Sequence, residues 1–331
     1  MTEKYNNVYI KETSTVAGPY EAKGPLNKYF DKTYKDLYNN EKCWELAEVH
    51  LLKESINILL KKINLKKESI DLIISGDLLN QITASCYAIE SFNIPFLGIY
   101  SACATSIEGM IIASKFIESK TVSNIIVSSS SHNMSSEKQF RNPTEYGAPK
   151  PKTATFTATG GASILLTSEK SRVKVESSTI GTICNLDQHD ASNMGATMAP
   201  AAAKTIYEHL TSLKRTPSYY DLILTGDLGI YGKNIVIDFM KAEYNLDIHS
   251  NYNDCGIMLY DLKKQKEIFA GGSGPVCSAL VNYSYIMEQL KTKKLKRVLL
   301  VATGALFSPT FTNLKQPILS IAHAISLEGV E

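Results

Sequence analysis

Two nearly identical stretches, one in each half, constrain the fold of this 331-residue chain more than any other feature. The sequence DLIISGDL at 71–78 returns as DLILTGDL at 221–228. A second pair follows in the same order, because Ile125-Ile126-Val127 corresponds to Leu299-Leu300-Val301. An internal repeat of this kind indicates a duplicated folding unit and takes precedence over local propensity.

Strand and helix patterns alternate within each copy, which predicts an α/β fold with sheets flanked by helices. We predict two tandem βαβαβαββ halves, residues 1–168 and 169–331, related by a pseudo-twofold axis. Sites in such folds form where corresponding loops converge at the carboxyl ends of strands. Only the second copy carries a long insert between Gly232 and Phe269, so we expect one asymmetric site.

Composition excludes several classes of function. A net charge of +2 gives no electrostatic basis for binding nucleic acid. The six cysteines show no CxxC pair, which argues against a zinc site or a disulfide framework and favours the cytoplasm. The chain begins without a signal-peptide pattern and has no apolar run approaching the ~20 residues of a membrane span. Any membrane role is therefore predicted to be peripheral.

Cys103 is the strongest single candidate for a functional residue. An apolar run at 94–100 leads into a helical pattern that starts near Ile107, which places this thiol at a helix N-terminus. Backbone N–H groups and the helix dipole lower the pKa of a thiol there. The residue is thus a nucleophile, a ligand-facing thiol or, alternatively, a small buried core residue. A gap-free alignment of the two copies places Cys277 against it.

A polar segment at 131–155 contains three prolines and shows no sustained apolar period, which predicts a long loop. Long loops in compact domains are usually functional or disordered. The alternative for His132 is a cap at a strand end, and for Arg141 it is a solvated side chain. The strand pattern that follows is interrupted by Gly160-Gly161, which indicates a bulge or a close backbone approach.

Three further features are explained by structural roles. Asp77 and Asp227 follow the repeated strands and are predicted to cap the next helix. The basic cluster at 291–297 follows a predicted helix, whose C-terminus it complements. The alternative for this cluster is contact with anionic lipid.

The duplicated frame, with a cysteine at the third helix of the first copy, resembles the thiolase-like superfamily of thiolases and ketoacyl synthases. That resemblance implies layers in the order α-β-α-β-α. Six motifs are more similar to the stage V sporulation protein AD family of endospore-forming bacteria: AGPYEAKGPLNKYFD (17–31), GDLLNQI (76–82), SACATSIE (101–108), SSHNMSSEKQFRNPTEYG (130–147), DCGIMLYD (254–261) and GGSG with CSA (271–274, 277–279). The sequence departs from the motifs of the family at three places. Ser101 stands where glycine is usual, Gly160-Gly161 replaces a Thr-Gly-Ala-like run, and Pro275-Val276 lies inside the glycine motif.

The resemblance implies a binding protein for dipicolinic acid or its calcium chelate, acting in dipicolinate uptake into the developing spore. It also implies a homodimer, formed through first-half strands such as the run 96–100. The expected partners are other stage V sporulation membrane proteins, at the forespore or spore inner membrane. No cofactor is expected, apart from calcium that enters with the ligand.

A condensing enzyme needs a histidine beside the thiol and usually a second His or Asn. Motifs such as His-Gln-Ala-Asn or Gly-His-Pro are not found, and the expected places hold 253–256 (NDCG) and 272–275 (GSGP). An aspartate in the histidine's place would oppose thiolate formation through like charge. His189 and His249 are candidate replacements. Non-catalytic binding is therefore favoured, with an acyltransferase using Cys103 or a structural subunit of a membrane complex as alternatives.

A dicarboxylate needs cationic and N–H donors, together with an apolar wall for its ring. Glu145 or Asp254 could contact calcium, although no spacing matches a dedicated calcium loop. The predicted ligand-binding residues are Cys103, His132, Arg141, Asn80, Gln81, Tyr146, Lys150, Lys152, Asp254, Gly272 and Ser273.

Overall fold

The structure is a computed structural model that describes residues 1–140 and 150–330. Its strands are β1 (Thr2–Lys4), β2 (Tyr9–Ala17), β3 (Lys32–Thr33), β4 (Leu72–Gly76), β5 (Phe96–Gly98), β6 (Asn124–Ser131), β7 (Phe156–Thr157), β8 (Gly160–Thr167), β9 (Val173–Ile180), β10 (Leu222–Thr225), β11 (Tyr252–Asp254), β12 (Gly272–Ser273), β13 (Arg297–Leu306) and β14 (Leu319–Gly329).

The helices alternate with these strands. They are α1 (Trp44–Ile63), α2 (Thr83–Ile89), α3 (Thr105–Glu118), α4 (Asn133–Phe140), α5 (Met194–Ser212), α6 (Gly229–Tyr244), α7 (Cys255–Leu259), α8 (Pro275–Val281), α9 (Met287–Lys291) and α10 (Pro309–Asn313). A π-helical segment, Asn282–Ile286, joins α8 to α9.

The main sheet has a mirrored order, β11-β10-β13-β14-β9-β2-β8-β6-β4-β5. Each half of this order repeats the other, with β4, β6 and β8 corresponding to β10, β13 and β14. The first strands of the two copies meet in the middle, where Tyr9 and Ile10 pair with Lys174 and Val173. The predicted boundary between residues 168 and 169 stays a prediction; it lies between β8 and β9.

The helices form an outer layer on each side and one layer between the two halves of the sheet. Helix α1 packs on β2 and β8, while α5 packs on β13 and β14. Helix α3 contacts β4 and β6 of the first copy and also β13 and β14 of the second. The predicted α-β-α-β-α fold is therefore confirmed, with the Cys103 helix in the central layer.

Burial explains these elements. The apolar positions of α1 recur at helical spacing, so that Ala47, Leu51, Leu52, Ile56 and Leu59 all lie in the core. Strand β4 begins with the apolar run Leu72-Ile73-Ile74 because helices α2 and α3 pack against it, while β5 and β6 pair with its two edges.

The prediction of an unbroken loop over 131–155 is wrong, because Asn133–Phe140 forms helix α4. This helix buries the polar residues Ser135, Ser136 and Glu137, so it shows no apolar period. Residues 141–149, which include Arg141, Glu145 and Tyr146, lie outside the described residues.

The glycine pair in β8 marks a close backbone approach and not a bulge. The ladder with β2 continues through Gly160 and Gly161 without a register shift. A Cβ atom on Gly161 would lie 2.4 Å from the carbonyl oxygen of Leu51 in α1. Only a residue without a side chain allows α1 to pack so near this strand.

The basic cluster lies at the end of α9. Lys291 forms an ion pair with Glu12 at 2.6 Å, and Arg297 forms one with Glu328 at 3.1 Å. Contact of this cluster with lipid stays a prediction. In the described part of the chain, every helix is too short or too polar to cross a membrane.

Candidate functional site

A cavity of about 110 Å³ lies between the two halves, beside Cys103. Its apolar wall comes from both copies and consists of Leu78, Phe140, Met194, Met198 and Phe307. The rings of Phe140 and Phe307 meet with their centroids 5.9 Å apart. Its polar lining includes Cys103, Ser136, Glu137, Thr157 and Ser273. The structure thus brings two of the predicted residues, Cys103 and Ser273, into one pocket.

A tight turn presents Cys103 to this cavity. Ala102 adopts a left-handed backbone conformation with φ 48°, which is strained for a residue with a side chain. Thr105 stabilises the turn, since its hydroxyl accepts from Ser101 N at 3.0 Å and donates to the Ala102 carbonyl at 2.7 Å. Cys103 lies directly before α3, as predicted.

Asp227 is the hydrogen-bond acceptor at the centre of the site. Its carboxylate accepts from Thr303 Oγ1 at 2.7 Å, Ser273 Oγ at 2.9 Å and Gly274 N at 3.2 Å. The Cys103 Sγ lies 3.7 Å from Ser273 Oγ, so the serine hydroxyl links the thiol to the same carboxylate. Since the Ser273 hydroxyl already donates to Asp227, the thiol is the donor in its contact with Ser273 and keeps its proton.

The electrostatics oppose a thiolate. Burial, and next the charge of Asp227, raises the pKa of the Cys103 thiol well above its ordinary value. Burial also raises the pKa of Asp227. The lowered thiol pKa predicted from the helix N-terminus is therefore wrong, because burial of the thiol, and next the charge of Asp227, outweighs the helix dipole.

The helix-cap prediction holds for Asp77 and fails for Asp227. Asp77 accepts from Leu79 N at 2.9 Å and from Ser85 N, in the first turn of α2, at 2.7 Å. In the second copy this role belongs to Asp254, which accepts from Leu228 N and Gly229 N, both at 2.9 Å. Asp227 is thereby left to face the cysteine.

Asp254 is consequently a buried cap and does not line the cavity. It also accepts from Gly256 N at 3.0 Å and Thr225 Oγ1 at 2.8 Å. The aspartate that lies beside Cys103 is Asp227 and not Asp254. Sequence reasoning missed this because the contact between Asp227 and Cys103 joins opposite halves of the chain.

His132 is a structural residue in this arrangement. Its Nε2 donates to the Leu37 carbonyl at 2.8 Å, and its Nδ1 accepts from Met134 N at 3.2 Å. Burial lowers the pKa of His132 to about 4, so the ring is neutral. The alternative of a strand-end role fits these contacts, and the ring does not line the cavity.

The other predicted histidines lie away from Cys103. His189 is exposed and contacts Asp187 at 3.1 Å, and His249 is exposed on a short turn before β11. The histidine that sequence reasoning missed is His323 on β14, whose Nε2 lies 3.4 Å from Ser101 Oγ. Burial lowers the pKa of His323 to about 4, and its Nδ1 accepts from Gly181 N, so it is no base for the thiol.

Asn80 and Gln81 line an adjoining surface groove that shares Leu78, Tyr100, Phe140 and Phe307 with the cavity. Gln139 ties this loop to α4, since its Oε1 accepts from Asn80 N at 3.0 Å and its Nε2 donates to the Leu78 carbonyl at 2.8 Å. The two predicted amides therefore lie at the mouth of the cavity and not inside it.

Lys150, Lys152 and Gly272 also lie outside the lining. Lys150 is exposed and forms an ion pair with Glu137, a lining residue, at 3.0 Å, while Lys152 is exposed to solvent. Gly272 is packed so closely that a Cβ atom would lie 2.8 Å from Cys277 Sγ. Ser273 lines the cavity, whereas Gly272 does not.

Comparison with known proteins decides the family. The family profile described as stage V sporulation protein AD matches residues 2–328. The chain belongs to the stage V sporulation protein AD family. It is 44% identical to stage V sporulation protein AD of Bacillus subtilis over 321 residues, covering 97% of this chain and 94% of that protein.

Solved structures place this sporulation protein in the thiolase-like fold. FabH, a 3-oxoacyl-(acyl carrier protein) synthase III of Xanthomonas oryzae, superposes with a TM-score of 0.62 at 13% identity, covering 98% of this chain and all (100%) of that one. Cerulenin-bound OleA of Xanthomonas campestris gives a TM-score of 0.61 at 14% identity over 98% and 97% of the two chains. The corresponding Aquifex aeolicus synthase III gives 0.58 at 13% identity over 97% and 99%. At these identities the likeness establishes the fold alone.

Proposed function

We propose that this protein binds dipicolinic acid, or its calcium chelate, in the Cys103 cavity without converting it, as a step in dipicolinate uptake into the developing spore. The observation that carries the proposal is the link from the Cys103 thiol through the Ser273 hydroxyl to the buried acid Asp227. A condensing enzyme needs a thiolate and a base, whereas this site holds a protonated thiol beside a buried acid.

The form of the cavity supports a compact aromatic ligand. A volume of about 110 Å³ is small for a long acyl chain. The walls that Phe140 and Phe307 provide are apolar, which suits a planar ring, and Ser136, Thr157 and Ser273 add hydroxyl groups to the lining of the same cavity. Lys150, paired with Glu137 beside the cavity, supplies a cation near the carboxylates.

Calorimetry tests the proposal directly. We expect saturable heat on titration with dipicolinate, measured with and without calcium, and a loss of this heat in a Met198→Trp variant that fills the cavity. A Met240→Leu variant, buried in the second half away from the cavity, is the matched control. Absence of heat at millimolar ligand in both conditions would refute the proposal.

An acyltransferase is the second candidate, favoured by the thiolase-like fold and by a cysteine that faces the cavity. Intact-mass measurement after incubation with acyl-CoA donors distinguishes the two. An acyl adduct that disappears in Cys103→Ala would establish transfer, and we expect none.

We further propose that two copies pair along β5. Among the described residues this strand pairs with β4 on one side only, and Phe96 and Leu97 on it are exposed. Tyr87 and Tyr100 add exposed aromatic surface beside it. Sedimentation of the wild type and of a Leu97→Asp variant tests this. A dimer that the variant leaves intact would contradict the proposed interface.

We propose other stage V sporulation membrane proteins as partners of the dimer, with peripheral association at the forespore membrane. Co-purification from sporulating cells, with and without the Lys293→Glu and Lys294→Glu substitutions, tests whether the basic cluster contributes. Recovery of this protein in the membrane-free fraction throughout sporulation would contradict the proposed membrane association.

A further inference from the structure

The polar groups nearest Cys103 have no proton to offer a ligand. Ser273 donates its hydroxyl proton to Asp227 at 2.9 Å, and the Cys103 thiol directs its own proton toward the same pair. A carboxylate needs hydrogen-bond donors. Recognition of an acidic ligand must therefore depend on another part of the cavity wall.

Ser136 on α4 carries a hydroxyl that has no hydrogen-bond partner in the described part of the chain. The side chain lines the cavity, the residue is only 3% exposed, and Oγ is buried with no hydrogen bond. The neighbouring Ser135 differs, because its hydroxyl bonds to Glu48 Oε2 at 2.8 Å and to the His132 carbonyl at 3.1 Å. A buried hydroxyl without a partner destabilises a folded protein, so the fold itself gives no reason for a serine at 136.

The position of Ser136 relative to the aromatic wall suits a ring that carries carboxylates. Ser136 and Phe140 are four residues apart on α4 and therefore lie on the same face of the helix. Both line the cavity. A planar ligand that packs against Phe140 would place a substituent at the edge of its ring beside Ser136 Oγ.

We propose that Ser136 Oγ donates a hydrogen bond to one carboxylate of the bound aromatic dicarboxylate, and that this bond distinguishes the dicarboxylate from a monocarboxylate. This assignment rests on the proposed function. The hydroxyl that is unsatisfied in the empty protein finds its acceptor in the complex.

The substitution Ser136→Ala tests the assignment through two independent measurements. Thermal unfolding of the ligand-free variant should occur at the same temperature as in the wild type or higher, because no bond is lost and an unpaired polar group is removed. Calorimetry should show dipicolinate binding weakened by about tenfold or more, since the lost bond is to a charged group. Binding of picolinate, the pyridine monocarboxylate, should be unchanged.

Ser106→Ala is the matched control. Ser106 is equally buried, but its hydroxyl bonds to Ser278 at 3.1 Å and it does not line the cavity. This variant should unfold at a lower temperature and bind both compounds as the wild type does.

The outcomes separate the assignment from the function on which it rests. Wild-type protein that binds neither compound overturns the proposed function, and the role of Ser136 falls with it. Wild-type binding that Ser136→Ala leaves unchanged, or weakens equally for both compounds, overturns the assignment alone. A ligand-free Ser136→Ala variant that is less stable than the wild type also overturns it, because the hydroxyl would then have a partner within the protein.

Discussion

Asp227 is linked to Cys103 through the Ser273 hydroxyl, which donates to the acid at 2.9 Å and lies 3.7 Å from the thiol, across the interface between the two copies of the repeat. The acid comes from the loop after β10 and the thiol from the turn before α3. The repeat gives the two copies the same order of strands and helices. At this site, however, one copy supplies the thiol and the other supplies the acid. The cysteine lies where a nucleophile would, yet its surroundings keep it protonated.

Replacing Asp227 with asparagine should make Cys103 more reactive. Removal of the buried negative charge lowers the thiol pKa, and each pKa unit changes the thiolate fraction about tenfold at neutral pH. Iodoacetamide labelling of the Cys103 peptide, followed by mass spectrometry, should be at least about tenfold faster in Asp227→Asn. Asp77→Asn, the equivalent position in the first copy, is the control. Equal labelling rates in Asp227→Asn and wild type would contradict the role given to Asp227.

Stability should fall as the pH rises from about 6.5 to about 8.5, because Glu48 is buried as a neutral acid. Burial, and next the charge of Asp77, raises the pKa of Glu48 to about 8. A carboxyl whose pKa is raised in the folded state loses stability progressively as the pH climbs from its unfolded pKa to its folded one. Burial also raises the pKa of Glu21 to about 7, which adds to the same trend.

Urea unfolding of Glu48→Gln at the two pH values checks this expectation. The amide cannot ionise, so the variant should lack a decrease on the order of 2 kcal/mol that the wild type shows. Burial lowers the pKa of His132 to about 4 and of His209 to about 3. Stability from these neutral histidines is lost only as the pH falls below about 6.5, outside the window measured. Parallel pH profiles of wild type and variant would contradict the prediction.

Arg215→Met should destabilise the second half by about 3 kcal/mol. The guanidinium is largely buried and donates to Glu176 Oε2 at 3.1 Å and to Tyr220 Oη at 2.7 Å. Without Arg215, the carboxylate of Glu176 is left without its cation. Adding Glu176→Gln should recover part of the loss in chemical denaturation. Lys11→Met, which removes an exposed ion pair with Glu169, should change the unfolding free energy by less than about 1 kcal/mol. Similar effects of the Arg215 and Lys11 substitutions would argue against a buried ion pair.

Gly161→Ala should destabilise the protein by about 2 kcal/mol or more, because its Cβ would lie 2.4 Å from the carbonyl oxygen of Leu51. The atoms that this Cβ would meet are all backbone atoms of Leu51 and Leu52 in α1, which cannot move aside as a flexible side chain can. Gly98→Ala is the paired strand variant, since its Cβ would meet the movable end of the Ile82 side chain at 2.3 Å. Thermal unfolding should give a clearly lower midpoint for Gly161→Ala than for Gly98→Ala. Equal midpoints would show that the close packing of α1 on β8 does not require a glycine at 161.

The sequence predicted the repeated frame well because its signals are local. Strands buried on both faces, such as β4 and β10, appear as short apolar runs, and the repeat then fixes their order. Helix α4 escaped prediction because its buried residues, Ser135, Ser136 and Glu137, are polar. A search for apolar periodicity cannot find a helix whose buried side chains are polar.

The candidate site was predicted only in part, for a related reason. Cys103 was found from its own neighbours in sequence. Asp227, in the loop after β10, and His323, on β14, approach the Cys103 turn from distant parts of the chain, and no spacing pattern connects them to it. Arg141 and Tyr146 stay predictions, because they lie outside the described residues.

The insert of the second copy has a consequence for how a duplicated chain acquires a single site. In the first copy Asp77 must hold the start of α2, and it is not available for anything else. In the second copy Asp254, which the insert contributes, takes over the same support for α6. Because the insert supplies Asp254, Asp227 does not have to cap α6 as Asp77 caps α2. Asp254 does not line the cavity, yet its substitution should change the pKa of the Cys103 thiol. Without Asp254, Asp227 would accept hydrogen bonds from the start of α6 and would move away from the thiol.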